Sequence, residues 1–138
     1  MTKQELLTAI KAGTTYFAGV NFKGEDFNGQ DFSNVIFKGC SFVRCNFTYA
    51  NFHRANLTQC YLAYSNFEEA NLTNATFHRA NLYKATLNYA NCLNASFKDA
   101  LISREHVKAA KKGNFTDVIN NTTQQPRPPY KFDSDSEE

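Results

Sequence analysis

Several features that catalysis requires are absent from this sequence. It contains no nucleophile elbow, no glycine-rich phosphate loop and no cluster of histidine with carboxylates. Its three histidines are spread along the chain, whereas catalysis needs groups that converge in a concave, water-excluding pocket. We therefore expect a protein that is not an enzyme and that uses no cofactor.

Segments that would cross or be exported through a membrane are also missing. No apolar run approaches the length that spans a bilayer. The chain opens with Met-Thr-Lys-Gln-Glu, without a charged segment followed by an apolar core, so we expect no signal peptide and a cytoplasmic location. A strong field of one sign is lacking too, because residues 17–100 hold seven Lys/Arg against six Asp/Glu.

What the sequence does contain is a period of five. Every fifth residue is large and apolar in nearly every repeat, the residue two places earlier is usually Ala, Cys or Ser, and the slot between them is mostly Asn. Tryptophan is absent and phenylalanine occurs thirteen times, a bias that the repeat itself produces. The inward series is Phe22, Phe27, Phe32, Phe37, Phe42, Phe47, Phe52, Leu57, Leu62, Phe67, Leu72, Phe77, Leu82, Leu87, Cys92 and Phe97.

Neither an α-helix nor a flat strand can bury this series on one side. Five steps along a helix turn the chain by about 500°, which would spread the Phe residues around the axis. On a strand, an odd spacing puts successive residues on opposite faces. A chain that turns a corner every five residues buries them all, and four such sides give a coil of twenty residues that stacks on the next about 4.8 Å away.

All four cysteines fall on inward positions of this pattern. Cys40, Cys45 and Cys60 take the small slot and Cys92 the large one, so we expect free buried thiols. Cys40 and Cys60 would lie one coil apart, but parallel side chains that point the same way disfavour a bridge. No Cys-x-x-Cys spacing exists, which argues against a zinc site.

The run Ala50-Asn51-Phe52-His53-Arg54 and its continuation resemble the pentapeptide repeat family, whose pattern is Ala-(Asp/Asn)-Leu/Phe-x-x. The resemblance covers residues 20–99 and implies a right-handed quadrilateral β-helix of about four coils, an all-β solenoid. The departures from the pattern are Glu25 and Gln30 in the small slot and Ile36 and Tyr61 in the Asn slot. The first coil is therefore expected to be ragged, or to direct its polar groups to the open end.

Both ends of the β-helix at 14–100 are expected to be capped. Residues 1–13 predict a capping helix, since Thr2 and Glu5 form a capping-box pattern and Gly13 is a natural stop; a partner-binding helix is the alternative. Residues 101–119 predict a second capping helix, starting near Ser103, followed by an apolar extension, and the resemblance adds a homodimer contact there. Residues 120–138 predict a disordered acidic tail.

Outward residues twenty apart would form columns on the flanks, where recognition can occur. One column holds Arg44, Tyr64 and Lys84, with Tyr83 beside Lys84, and two cations flanking a ring suggest cation–π support. The string Phe-His-Arg-Ala-Asn occurs twice, which places His53 with Arg54 and His78 with Arg79 on neighbouring sides. The candidate partner-binding set is Arg44, Tyr64, Lys84, His53, Arg54, His78 and Arg79, and a plain solvated surface is the alternative. A metal pair of His53 and His78 is disfavoured by the corner between them.

The leading hypothesis is a non-enzymatic interaction module that binds a macromolecular partner, most simply a protein, through its outer faces. The resemblance implies a second one, because some family members imitate duplex DNA and bind type II topoisomerases such as DNA gyrase. Such mimicry needs rows of carboxylates, which are few here. The third and weakest hypothesis is nucleic-acid or nucleotide binding by the basic faces.

Overall fold

The structure is a short helix followed by a β-solenoid. The computed structural model describes residues 1–102, 110, 112–114 and 119–120. Helix α1 spans Lys3–Lys11, and strands β1 to β6 span Tyr16–Ala18, Ile36–Lys38, Asn91–Ser96, Leu101–Ile102, Lys112–Asn114 and Ile119–Asn120. Strand β1 pairs with β2, β3 with β5 and β4 with β6, each time in parallel.

Single backbone bridges between residues twenty apart join each coil to the next. They run from Asn21↔Ser41 to Asn81↔Leu101, recur every five residues and are all parallel. Strands β1 and β2 keep the same interval, because Phe17 pairs with Phe37. A coil is therefore twenty residues long and contains four repeats, which is the stacking interval that the sequence predicts.

A tight turn closes each repeat. The Ala50 N–H donates to the Phe47 carbonyl oxygen at 3.0 Å, and Tyr49 between them has a φ of 60°. A turn in which only the third residue has a positive φ is a type II turn, which favours Gly or Asn at that position. Here thirteen non-glycine residues hold it, with φ between 56° and 64°. The corners are thus built largely from residues that pay a conformational cost to be there.

Where an Asn directly precedes an inward residue, its side chain stabilises the corner through a hydrogen bond. The Asn51 Oδ1 accepts a hydrogen bond from the His53 N–H at 2.9 Å, and the Asn46 Oδ1 accepts one from the Thr48 N–H at 3.0 Å. Such Asx turns fix the backbone two residues ahead of the Asn side chain. The Asp26 carboxylate does the same for the Asn28 N–H at 3.0 Å, so Asp and Asn are interchangeable in this slot.

Stacked aromatic rings fill the interior. The Phe47 ring lies parallel to those of Phe27 and Phe67, one coil below and one above, with centroids 5.5 Å and 5.0 Å away. The rings of Phe42 and Phe52 meet it edge-on at 5.4 Å and 5.0 Å. Stacked pairs between coils and edge-on pairs within a coil are the two favourable aromatic geometries. The period of five therefore produces both contacts at once.

Helix α1 packs against the first coil. The Thr2 side chain accepts from the Glu5 N–H while the Glu5 carboxylate accepts from the Thr2 N–H, which is the capping box predicted from the sequence. Leu6 is fully buried in the core, and Leu7 and Ile10 pack beside it. Glu25 and Gln30 are half-buried in their small slots, yet the ladder continues past them, since the Asn46 N–H donates to the Glu25 carbonyl at 2.9 Å. The first coil is therefore regular in its backbone.

The predicted second helix, which starts near Ser103, lies mostly outside the described residues, and at its described end Lys112 belongs to strand β5. Leu101 and Ile102 form strand β4 and are buried, because Ala100 and Ile102 continue the small-and-large pattern by one repeat. Lys112–Asn114 and Ile119–Asn120 are also strands, so Asn120, the first residue of the predicted tail, ends strand β6. Residues 103–109, 111, 115–118 and 121–138, which include the predicted N-cap Ser103, lie outside the described residues. The dimer contact at 101–119 stays a prediction.

We predict that Phe47→Ala lowers the free energy of unfolding by about 3–5 kcal/mol, because the five neighbouring phenylalanine rings are fixed in the coils around it and cannot close the cavity. Urea denaturation measures the change. Tyr49→Ala is the matched control: it also removes an aromatic ring, but one that is 66% exposed, and it should cost about 0.5 kcal/mol or less. Equal losses in the two variants would contradict the stacked core.

A second prediction isolates the cost of the corner. Tyr49→Gly and Tyr49→Ala remove nearly the same atoms, but only glycine adopts a positive φ without a Cβ clash. We expect the glycine variant to be more stable than the alanine variant by about 0.5–1 kcal/mol, after the larger entropy of the unfolded glycine chain is subtracted. Thermal or urea unfolding of the two proteins side by side tests this, and a more stable alanine variant would show that the corner carries no strain.

Candidate interaction surface

The outward column of Arg44, Tyr64 and Lys84 forms a connected cluster. The Arg44 Cζ lies 4.3 Å from the centroid of the Tyr64 ring, a close cation–π contact. The Tyr64 ring meets the Tyr83 ring edge-on at 5.8 Å, and the Lys84 Nζ lies 5.8 Å from the Tyr83 ring centroid. Lys84 thus lies over the ring of Tyr83, the residue before it in the sequence. The sequence predicts two cations around the Tyr64 ring, whereas the structure has four side chains in contact one after another: Arg44, Tyr64, Tyr83 and Lys84.

Two apolar residues lie beside this cluster, and sequence reasoning missed them. Val43 and Ala63 occupy outward slots in the same column as Tyr83, yet they are 1% and 0% exposed. Neither belongs to the interior cluster of the solenoid. The signal was available in the sequence, because outward slots elsewhere are mostly polar. This flank therefore has an apolar layer under its charged and aromatic side chains.

The three members of the column sit at the strained corner position. Arg44, Tyr64 and Lys84 have φ values of 60°, 61° and 56°. A left-handed backbone costs an L-residue about 1–2 kcal/mol relative to the right-handed form. The cluster is therefore displayed from corners of the coils, on a backbone that is hydrogen-bonded to the neighbouring coils.

The other predicted residues do not join this cluster. His53 and Arg54 follow Phe52, and the His53 Nδ1 lies 2.6 Å from the Thr73 Oγ1 of the next coil. His78 and Arg79 follow Phe77 on a different face, and both are half-buried. The two copies of the repeated string are thus separated by the fold, and only the second lies next to the face of Arg44.

Charge is separated around the solenoid although it is nearly balanced overall. Two adjacent faces hold six of the seven Lys/Arg of residues 17–100 and one carboxylate, Asp99. The first of these faces follows Phe37, Phe77 and Phe97, and the second, the next along each coil, follows Phe22, Phe42, Leu62 and Leu82. The remaining two faces hold five carboxylates and Arg54. We call the outward side chains of the first two faces the basic surface: Lys23, Lys38, Arg44, Tyr64, His78, Arg79, Tyr83, Lys84 and Lys98.

The described residues offer little for other kinds of site. Within them no group of three or more His, Cys, Asp or Glu is arranged to hold a metal ion. In the same part of the chain no helix is long and apolar enough to cross a membrane. A half-open groove of about 440 Å³ lies between α1 and the first coil, lined by residues such as Leu7, Ile10, Gln30 and Asp31.

The repeat pattern and the fold lead to the same family. A family model described as a pentapeptide repeat region matches residues 13–87, more than half of the chain. The chain belongs to the pentapeptide repeat family. A comparison with curated proteins gives no match.

The solved structure of one pentapeptide repeat protein, HetL, shares the fold, and two others align with lower scores. HetL from the cyanobacterium Nostoc sp. strain PCC 7120, which is involved in heterocyst differentiation regulation, aligns with a TM-score of 0.67 at 21% identity, over 80% of this chain and 46% of HetL. This chain therefore spans less than half the length of HetL. AT2G44920 from the Arabidopsis thaliana thylakoid lumen aligns at 25% identity with a TM-score of 0.48, over 74% of this chain and 81% of its own. Full-length QnrB1, a plasmid-mediated fluoroquinolone resistance protein, aligns at 16% identity with a TM-score of 0.44, over 81% and 85%.

The thiols of this pentapeptide repeat protein are buried inside the coils. Cys40, Cys45, Cys60 and Cys92 are all free. The Cys45 Sγ donates to the Phe22 carbonyl at 2.6 Å, and burial raises the pKa of the Cys45 thiol to about 12. Burial also raises the pKa of Cys92 to about 12. Cys45 and Cys92 are packing residues of the interior, and they are poor nucleophiles because the thiolate is disfavoured there.

The raised pKa of Cys45 predicts how stability changes with pH. Above about pH 8.5 the unfolded thiol loses its proton while the folded one keeps it until about pH 12. The free energy of unfolding should therefore fall as the pH rises through this window, by up to about 1.4 kcal/mol per pH unit for one thiol. Cys45→Ala, which introduces the residue most common in this slot, should make the fall shallower without changing the slope near neutral pH. Parallel curves for the two proteins in urea denaturation would contradict the assignment.

Proposed function

We propose that this chain is a non-enzymatic interaction module, a right-handed four-sided β-helix capped by α1, whose basic surface binds an acidic segment of a partner protein. The observation that carries the proposal is the separation of charge. The two faces of the basic surface have a formal charge of +5, from six cations and Asp99, and the rest of residues 17–100 has −4. Such a field steers an acidic partner to one flank.

The rigidity of the flank supports binding over mere solvation. The backbone under the basic surface is tied to the coils on both sides; for example, the Leu82 N–H donates to the Leu101 carbonyl at 2.8 Å. The Arg44 guanidinium is held against the Tyr64 ring, and its planar fork matches a carboxylate. Preorganised side chains lose less conformational entropy when a partner binds.

The aromatic side chains favour a protein partner over single-stranded nucleic acid. Base stacking needs an aromatic ring whose face is open. On the basic surface the Tyr64 ring is stacked under Arg44 and meets Tyr83 edge-on. Two of the three strongly exposed tyrosines, Tyr49 and Tyr89, lie on another face in the column of Glu69, where phosphates would be repelled. The third, Tyr16, lies in strand β1, ahead of the first outward residues of the basic surface.

Imitation of duplex DNA, the topoisomerase hypothesis, gains no support from the columns. A phosphate-like row requires carboxylates above one another at regular spacing. Among residues 17–100 no column of residues twenty apart contains two carboxylates; Glu69, for instance, lies between Tyr49 and Tyr89. A gyrase supercoiling assay that shows inhibition, or relief from a quinolone, would restore this hypothesis over the acidic-partner proposal.

Neutralising the basic surface tests the proposal. Lys38→Gln, Lys84→Gln and Lys98→Gln together remove three exposed cations and should reduce capture of the partner from a host lysate about tenfold, if each lost ion pair contributes about 0.5 kcal/mol. Raising the salt concentration should have the same effect on the wild-type protein. Quantitative mass spectrometry of the captured proteins provides the measurement.

The matched control changes the net charge equally on the other faces. Arg54→Glu with Asn88→Glu also lowers the formal charge by three, and both residues are exposed and lie outside the basic surface. This variant should retain the partners that the triple Gln variant loses. Equal loss in both variants would show that only net charge matters, and unchanged capture by the triple variant would overturn the proposal.

A further inference from the structure

We propose that the acidic end of the chain, residues 133–138, docks on the basic surface of the same molecule and competes there with the partner. This inference rests on the proposed function, because it assigns a regulator to the same surface. The segment reads Asp-Ser-Asp-Ser-Glu-Glu, with four carboxylates and no cation. It is the most concentrated negative charge in the sequence.

The place where the described chain ends supports the assignment. Strand β6 pairs with β4, so that Ile119 lies beside Leu101 and Asn120 beside Ile102. Leu101 in turn bridges to Asn81, one coil further down. Asn120 therefore lies two coil steps, about 10 Å, from Leu82, the inward residue that directly precedes Tyr83 and Lys84. The chain leaves the described structure at one end of the basic surface.

The length of chain beyond that point is sufficient. Twelve residues, 121–132, separate Asn120 from Asp133, and a fully extended chain of that length spans up to about 45 Å. The column from Asn21 to Leu101 contains four steps between coils, a length of about 19 Å. The acidic end can therefore reach every coil of the basic surface.

The two formal charges are opposite in sign and similar in magnitude. Four carboxylates face a surface with a formal charge of +5, on which Lys38, Lys84 and Lys98 are exposed. A tether of this length gives the acidic end an effective concentration in the millimolar range near the surface. Ion pairs in water are individually weak and are screened by salt. The contact is consequently reversible, as a competitor for a partner site requires.

The test compares backbone amide NMR spectra of full-length proteins. Asp133→Asn, Asp135→Asn, Glu137→Gln and Glu138→Gln together neutralise the acidic end at nearly constant shape. We expect chemical-shift changes at the amides of Lys38, Lys84 and Lys98 and none at those of Thr73 and Asn88, which lie on the other faces. About 0.5 M salt should produce the same changes in the wild-type spectrum, because at that ionic strength the ion pairs between exposed side chains are screened.

Two control variants give the experiment its specificity. Exchanging Asp for Glu and Glu for Asp at the same four positions keeps the charge and should leave the basic-surface amides at their wild-type shifts. In the Lys38→Gln, Lys84→Gln, Lys98→Gln background, neutralising the acidic end should change no amide outside residues 121–138. Shift changes confined to residues 121–138 in the wild-type background, or spread equally over all faces, would overturn the proposal.

The two proposals fail separately, since the NMR experiment uses the purified protein without a partner. If the chemical shifts change only on the basic surface but the triple Gln variant loses no partner, the proposed function is contradicted and the intramolecular contact stands. If that variant loses the partner but the chemical shifts of the basic surface do not change, only the intramolecular contact is contradicted.

Discussion

The type II turn at every fifth residue is the constraint on which the rest of the structure depends. It turns the chain through a corner, sends one large and one small side chain of each repeat inward, and leaves the other positions outside. The hydrogen bond from the Ala50 N–H to the Phe47 carbonyl is one of many equivalent bonds. Because the corners recur every five residues, residues twenty apart stack, and both the phenylalanine columns and the outward columns follow from that geometry.

The corner also imposes a cost that the repeat must offset. Tyr, Arg, Lys and Glu hold a left-handed backbone at positions where Gly or Asn would be relaxed. Burial of the rings and the continuous ladder between coils stabilise the fold against this cost, since each coil contributes the same contacts to its neighbours. An outward side chain at such a corner is displayed on a stiff support, which is the property that an interaction surface needs.

The features of the fold and of the candidate surface that could be predicted from the sequence are those with a local sequence signal. The coil length and the inward series were readable because the spacing from Phe22 to Phe97 excludes both a helix and a flat strand. At the end of the repeat, Ser103 and the alanines and lysines after it give a local helix signal, whereas the parallel pairing of Leu101 with Ile119 joins residues eighteen apart and leaves no local signal in the sequence. The contact between Tyr64 and Tyr83 was likewise missed, because it joins two different outward slots on successive coils.

The overall charge of the chain conceals the feature on which the proposed function depends. A count over residues 17–100 gives near neutrality and suggests a surface without a field. Once the twenty-residue interval assigns each residue to a face, Lys38, Lys84 and Lys98 fall on one side and Glu68 and Glu69 on the other. Charges on opposite flanks of a filled solenoid are too far apart to neutralise each other through water and salt. A nearly neutral solenoid can therefore present a basic surface to a partner, or to its own acidic end, whereas the same residues in random order could not.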